Sequence, residues 1–225
     1  MKGFNGIKMD IIDKISVSGE SGFYYKIKSS YCCLKSALKY GVRYEFKRGI
    51  NQIVEEIDDG AWAIGCYMAL NNCKKTFTVF EAPAFTSDGM LLTPRYLSQI
   101  SCYMDLSYPM FSSRKTVEEI ISQKIRKNHL NTSQEEIRTL FRMSKSRFDR
   151  RIEATGHEMF RAMAAIAYCD NKEIYCFPWM SDYYFDSFKY HLKDLLDILN
   201  DLKKFVILPV SKRQEWESCA HWCEG

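Results

Sequence analysis

The chain has 225 residues, 46% hydrophobic and 14% aromatic, enough to core one large domain and too apolar for wholesale disorder. Its formal charge of +4, from 32 basic and 28 acidic residues, is too slight to argue for a nucleic-acid partner. No apolar run approaches the roughly 18 residues of a membrane helix, and the opening MKGFNGIKMDIIDKI lacks the apolar region and cleavage site of a secretory signal. The expectation is a cytoplasmic protein with no direct membrane insertion.

Residues 23–28 and 42–46 alternate apolar and polar side chains, which predicts half-buried antiparallel strands. Residues 50–57 form a more apolar run that leads into a tight loop, Asp58-Asp59-Gly60-Ala61-Trp62, and a helix over 63–70 closed by Asn71-Asn72. A strand at 76–80 and a turn at Ser87-Asp88-Gly89 follow. The middle of the chain is helical. Val117, Ile120, Ile121 and Ile125 keep one helical face apolar over 116–127, and Ser133, with Glu136 three residues on, caps a helix over 134–143. A basic segment from Arg142 to Arg151 precedes a strongly helical stretch at 158–168. Two short apolar strands, 174–177 and 205–208, flank a long amphipathic helix at 183–202, and this arrangement implies a parallel, buried sheet. The layout is mixed α/β: one domain over 1–225, with a helical subdomain inserted at about 112–170.

The nine cysteines are an odd number. Cys66, Cys102, Cys169 and Cys176 lie in apolar context and read as small buried hydrophobes. Cys32 and Cys33 would face opposite sides of a strand. Cys219-x-His221-x-Cys223 carries metal-capable atoms at a spacing that matches no standard zinc pattern, so no metal is assigned. That end of the chain reads as a frayed tail or a packed helix.

The strand, loop and helix around Gly60 have the layout of a phosphate-binding loop, G-x-x-x-x-G-K-[ST]. Only Gly60 matches. Glu55 stands at the first glycine, Ala61 at the lysine and Trp62 at the hydroxyl that would hold Mg²⁺.

Residues 154–168 (ATGHEMFRAMAAIAY) resemble the signature helix of ATP-binding-cassette (ABC) ATPases, in which an L-S-G-G-[QE] loop enters a helix of pattern x-x-R-x-x-x-A-x-A. Thr155 stands for the serine, Gly156 for the first glycine, Glu158 for the Gln/Glu and Arg161 for the helix arginine, whereas Ala154 and His157 depart from the pattern. Glu173 to Trp179 resemble the Walker B strand, with Pro178 in place of the metal-binding Asp and Trp179 in place of the catalytic Glu. Met180-Ser181-Asp182 fall before the D-loop, whose Asp aligns with Phe185, and Ser211 ends a switch-like strand where the family has histidine. Gln99 stands for the Q-loop glutamine, and 106–111 and 116–120 resemble the segment that follows that loop. The resemblance spans roughly 35–212 and implies a P-loop NTPase-like ABC ATPase core with an antiparallel β subdomain and a helical subdomain.

Phosphoryl transfer rests on positioning and charge neutralisation by a glycine cradle, a Lys, a Mg²⁺-holding hydroxyl and Asp, and a water-orienting group. The resemblance therefore implies a degenerate Walker A at Gly60, Ala61 and Trp62, and no catalytic residue in this chain. Glu55, Glu56, Asp58 and Asp59 would repel a triphosphate by several kcal/mol at short range unless cations intervene. They read either as a solvated acidic turn or as oxygen ligands for Mg²⁺ or Ca²⁺. Trp62 and Trp179 either plug the vacated pocket or stack on a ligand. The family dimerises head to tail, so Thr155, Gly156 and Glu158 would act on a partner's nucleotide; in the plainer reading Thr155 only caps the following helix. No cofactor is assigned to the chain alone, and ATP with Mg²⁺ is expected only at a composite site. The partners implied are another ABC ATPase subunit, as homo- or heterodimer, and a membrane permease that meets the helical subdomain. Two alternatives stand beside this reading: an ATPase using altered residues, and a nucleotide-free interaction protein.

Overall fold

The computed structural model describes residues 14–18, 23–28, 33–38, 43–56, 64–65, 68–69, 84–86, 89, 91–215 and 221–223. Antiparallel strands come first. β1 (Lys14–Ser18) pairs with β4 (Arg43–Lys47) and β6 (Ala84–Thr86), and β7 (Leu91–Leu92) completes a sheet of order β4-β1-β6-β7. A separate hairpin joins β2 (Phe23–Lys28) to β3 (Cys33–Leu38). β2 has the expected bounds, and β4 carries 43–46 of the second expected strand, whose Val42 lies outside the described residues. Tyr44 and Phe46 of β4 point into the core, while Glu45 between them stays exposed and meets Lys14 of β1 at 2.6 Å. Of the expected turn at 87–89 only Gly89 is among the described residues. The expected strand at 76–80 lies outside them, and of the helix at 63–70, residues 64, 65, 68 and 69 are helical.

Arg48 alone separates β4 from β5 (Gly49–Val54), so the chain leaves the antiparallel sheet and enters the parallel one within a single residue. Gly49 permits this with φ 101°, a backbone conformation that L side chains rarely adopt. Asn51 clamps the reversal: its Oδ1 accepts from Lys47 N–H at 2.9 Å and its amide donates to the Lys47 carbonyl at 2.8 Å.

β8 (Ser101–Tyr103), β9 (Ile174–Cys176), β10 (Phe205–Val210) and β11 (His221–Cys223) join β5 in an all-parallel sheet of order β11-β5-β10-β9-β8. Every residue of β8, β9 and β10 is buried, as expected for a sheet covered on both faces. β11 corrects the reading of the chain's end as a frayed tail or helix: His221 and Cys223 sit in a ladder opposite Asn51 and Ile53, while Cys219 lies outside the described residues. Cys102, Cys169 and Cys176 are buried and form no disulfide, and Cys66 lies outside the described residues.

Six α-helices are labelled here: α1 (Pro94–Ile100), α2 (Val117–Lys127), α3 (Gln134–Leu140), α4 (Lys145–Phe148), α5 (Met159–Cys169) and α6 (Asp182–Asp201). Thr116 with Glu119, and Ser133 with Glu136, close full capping boxes on α2 and α3. α3 stops at Leu140 rather than at 143 because Arg142 turns to φ 50°, with Arg142 N–H on the Thr139 carbonyl and Met143 N–H on the Arg138 carbonyl, each at 3.0 Å. This is a Schellman ending without its usual glycine. His129, Asn171 and Lys203 end α2, α5 and α6 in the same left-handed way. α5 is buried on all sides, from Phe160 through the run 162–167 to Cys169, as a helix apolar all round must be. α6 turns Phe185, Leu192, Leu195, Leu196, Ile198 and Leu199 inward and packs against β5 and β10. Among the described residues no helix is long and apolar enough to cross a membrane.

Candidate functional site

In open parallel α/β sheets ligands bind beyond the carboxyl ends of the strands. At that edge β5 ends at Val54 and continues into Glu55, whose N–H donates to the Val210 carbonyl at 3.1 Å. The Glu55 carboxylate folds inward, only 8% exposed, and accepts the Tyr44 hydroxyl at 2.9 Å. β9 ends at Cys176, and Pro178-Trp179 follow. The Trp179 indole N–H donates to the Glu55 main-chain carbonyl at 2.9 Å, spanning the strand that lies between β5 and β9. Met180 bridges to Val210, with its N–H on the Pro209 carbonyl at 3.0 Å. Ser211 Oγ donates to Asp182 Oδ1 at 3.0 Å and accepts the Asp182 N–H at 2.9 Å, so hydroxyl and carboxylate close on each other at the start of α6.

The edge therefore carries the carboxylates Glu56, Asp105 and Asp182, with Glu55 turned inward and Lys212 and Arg213 following β10. Gly60, Ala61 and Trp62, together with Asp58 and Asp59, lie outside the described residues. Gln99 is not brought here. It precedes β8 on α1, at the amino ends of the parallel strands, where its carbonyl accepts Lys172 Nζ at 2.6 Å. The residue that leaves β8 at the site edge is Asp105, which the sequence reading missed because a three-residue strand gives too short a pattern to fix its end. Asp105 Oδ1 accepts the Ser107 N–H at 2.8 Å. Burial, and then the Asp105 charge, raise the Tyr184 hydroxyl above its ordinary value. Among the described residues no group of three or more His, Cys, Asp or Glu side chains is placed to hold a metal.

The signature-like loop lies between α4 and α5, in two 3₁₀ turns, Ile152–Ala154 and Gly156–Glu158. Thr155 is fully buried, and its hydroxyl donates back to the Ile152 carbonyl at 2.6 Å. It does not cap α5, nor does it face solvent. Glu158 is also turned inward, accepting the Ser144 N–H at 3.0 Å with Arg147 Nε 3.8 Å away. Arg147 also donates to the Thr155 carbonyl. Gly156 has φ 58°, and a Cβ would fall 2.5 Å from an Arg147 guanidinium nitrogen. Arg161 is buried under the loop, donating to the Arg142 carbonyl at 3.0 Å and to Asp194 at 2.6 Å. Outward-facing are Gly156 and His157, the latter stacked on His191 of α6 with ring centroids 4.1 Å apart. Tyr44, Ser144, Arg147 and His191, which fix these two places, carry no motif that a sequence scan could read.

Antiparallel sheet, covered parallel sheet and helical segment together make the fold of an ABC nucleotide-binding domain. Solved structures of that class share it. A Pyrococcus furiosus protein assigned as the ATP-binding protein of an ABC transporter is 14% identical, with a TM-score of 0.58 over 93% of this chain and 96% of its own. A dimeric ATP-binding cassette in a post-hydrolysis state, bound to ADP and Pi, is 13% identical, with a TM-score of 0.56 over 88% of both chains. A bacterial Atm1-family ABC exporter with ATP bound is 13% identical, with a TM-score of 0.55 over 90% of this chain and 35% of its own. The sequence matches no known family model and no curated protein.

Proposed function

We propose that this chain is a degenerate ABC nucleotide-binding-domain homologue that does not hydrolyse ATP itself and acts as a regulatory or structural subunit beside an active ATPase or a permease. The observation that carries the reading is the Trp179–Glu55 contact. Where the family needs a catalytic carboxylate facing nucleotide, an indole is spent tying the end of β9 to the backbone at the first position of the loop. Pro178 offers no metal ligand, and Ser211 is closed on Asp182. Ala61 and Trp62 in the Walker A positions support the same conclusion from the sequence.

The reading treats 1–225 as one domain with residues 112–170 as its helical subdomain, cytoplasmic, and peripheral at the membrane through a permease. Similarity to a dimeric cassette and to an exporter supports another ABC ATPase subunit as partner. In such a pair the loop Thr155-Gly156-His157-Glu158 would lie over the partner's ATP and Mg²⁺. The inward turn of Thr155 and Glu158 leaves Gly156 and His157 as its outward-facing contacts.

Purified chain, alone, is expected to release no phosphate from Mg-ATP above a buffer control. Saturable turnover that Glu158→Ala abolishes, in a variant shown to be folded by circular dichroism, would overturn the proposal.

A further inference from the structure

We propose that the stacked His157–His191 pair is an acid-sensitive joint between the loop 155–158 and helix α6, closed near neutral pH and released as the pair takes up protons. The inference goes beyond the function proposed above and does not rest on it, because it concerns the chain by itself.

The geometry carries it. The two rings lie nearly parallel, 26° between planes and 4.1 Å between centroids, and they belong to different elements. His157 sits on the exposed side of the loop and His191 on the third turn of α6 facing it. Neutral imidazoles stack favourably, whereas two imidazolium rings would hold like charges about 4 Å apart, which repel.

Every element around the pair bears charge, and the charges divide. From α5, Arg161 opposes protonation. From α6, Asp194 favours it, but its carboxylate is already engaged by Arg161 at 2.6 Å and Arg142 at 3.5 Å. From the loop itself Glu158 favours it, with Arg147 of α4 alongside at 3.8 Å. Burial, then His157 and Arg161, hold His191 below the usual histidine value against Asp194 and Glu158. A base held lower in the folded chain than in the unfolded one binds fewer protons folded. Its contribution is thus present above the unfolded value of about 6.5 and is lost as pH falls through the lower folded value.

The joint has something to act on. Thr155 and Glu158 are anchored inward, so the exposed Gly156–His157 tip is the part of the loop that release would free.

Histidine ring resonances of the full chain, followed by NMR from pH 8 to pH 5, test this together with amide exchange at 156–158. His191 is expected to titrate below the usual histidine value. Amide exchange at 156–158, corrected for intrinsic rate, is expected to rise roughly tenfold on acidification as the local opening equilibrium shifts. His191→Phe, which keeps a ring in the stack and removes the charge, should abolish the acid-dependent exchange. His157→Phe should raise the His191 midpoint and likewise abolish the acid-dependent exchange, and serves where the first variant fails to fold. No acid-dependent exchange at 156–158 in the parent chain, or an unchanged acid response in the folded Phe variant, would refute the joint.

Discussion

Trp179 and Glu55 are 124 positions apart, and yet the indole N–H of one rests 2.9 Å from the main-chain oxygen of the other. The bond joins the exits of two strands that are not neighbours, because β10 runs between them. It also places a large aromatic group over the edge where a parallel sheet normally receives its ligand. Trp179 itself is part-buried against the core.

Removing that strap should cost stability in two separable parts. Trp179→Phe keeps most of the ring packing and loses the donor, for about 1 kcal/mol. Trp179→Ala loses the packing as well, and because the side chain is only partly buried the cost should fall near 2–3 kcal/mol, at or below the low end for core aromatics. Urea unfolding followed by circular dichroism separates the two, and equal losses would mean that the hydrogen bond contributes nothing.

Tyr44→Phe deletes the hydroxyl that supports the buried Glu55 carboxylate. A buried donor removed from its acceptor costs about 1–3 kcal/mol, so the variant should unfold at clearly lower urea. Glu55→Gln keeps an acceptor oxygen and should lose less. A double variant, Tyr44→Phe with Glu55→Gln, should be less destabilised than the sum of the singles.

The left-handed helix endings give a prediction of opposite sign. Lys203 has φ 53°, where an L side chain is strained by about 1–2 kcal/mol. Glycine there relieves the strain and gives back part in chain entropy. Lys203→Gly should therefore stabilise the protein by about 0.5–1 kcal/mol, read as a raised melting temperature. Gly156→Ala, at φ 58° and against the Arg147 guanidinium, should destabilise it.

The thiols provide a chemical check on the core. Burial, and then the Asp170 charge, push the Cys169 thiol up to about 12. Burial likewise raises Cys102, against a partial lowering by Lys172. Because the thiolate is the reactive form, both should resist iodoacetamide at pH 7.5 in the native protein and react once it is denatured. Peptide mapping of alkylated cysteines checks this, and labelling of either in the native state would contradict the packing.

Much of this fold was legible because its helices announce themselves. The Ser133–Glu136 capping box and the apolar stripe of α2 are local signals, and local signals survive in a sequence. The ending of α3 was not legible: nothing marks Arg142 as a residue that will turn left-handed, since the motif usually takes glycine. The two central strands were recognisable as apolar runs, but strand order is a tertiary property that pattern does not encode. The same limit decided the site. Gln99 looked suitable by residue type, yet the direction of β8 sends it to the far edge and brings Asp105 to the near one. Thr155 fitted the signature pattern, but a motif cannot say whether a hydroxyl points out or, as here, back to Ile152.

Asn51 and Gln52 stand side by side in β5 and, by the pleat, on opposite faces. The Asn51 amide reaches the Val206 carbonyl and the β4–β5 reversal, and Gln52 exchanges two hydrogen bonds with the backbone of Gln214, at 2.9 and 3.0 Å. If β5 slipped by one residue against β10, both amides would swap faces and lose those partners at once, at about 1–3 kcal/mol for each buried group left unmade. An all-apolar strand would tolerate such an error, because one aliphatic face resembles another. This pair makes the strand self-proofreading, since a slipped register leaves two buried amides without their partners.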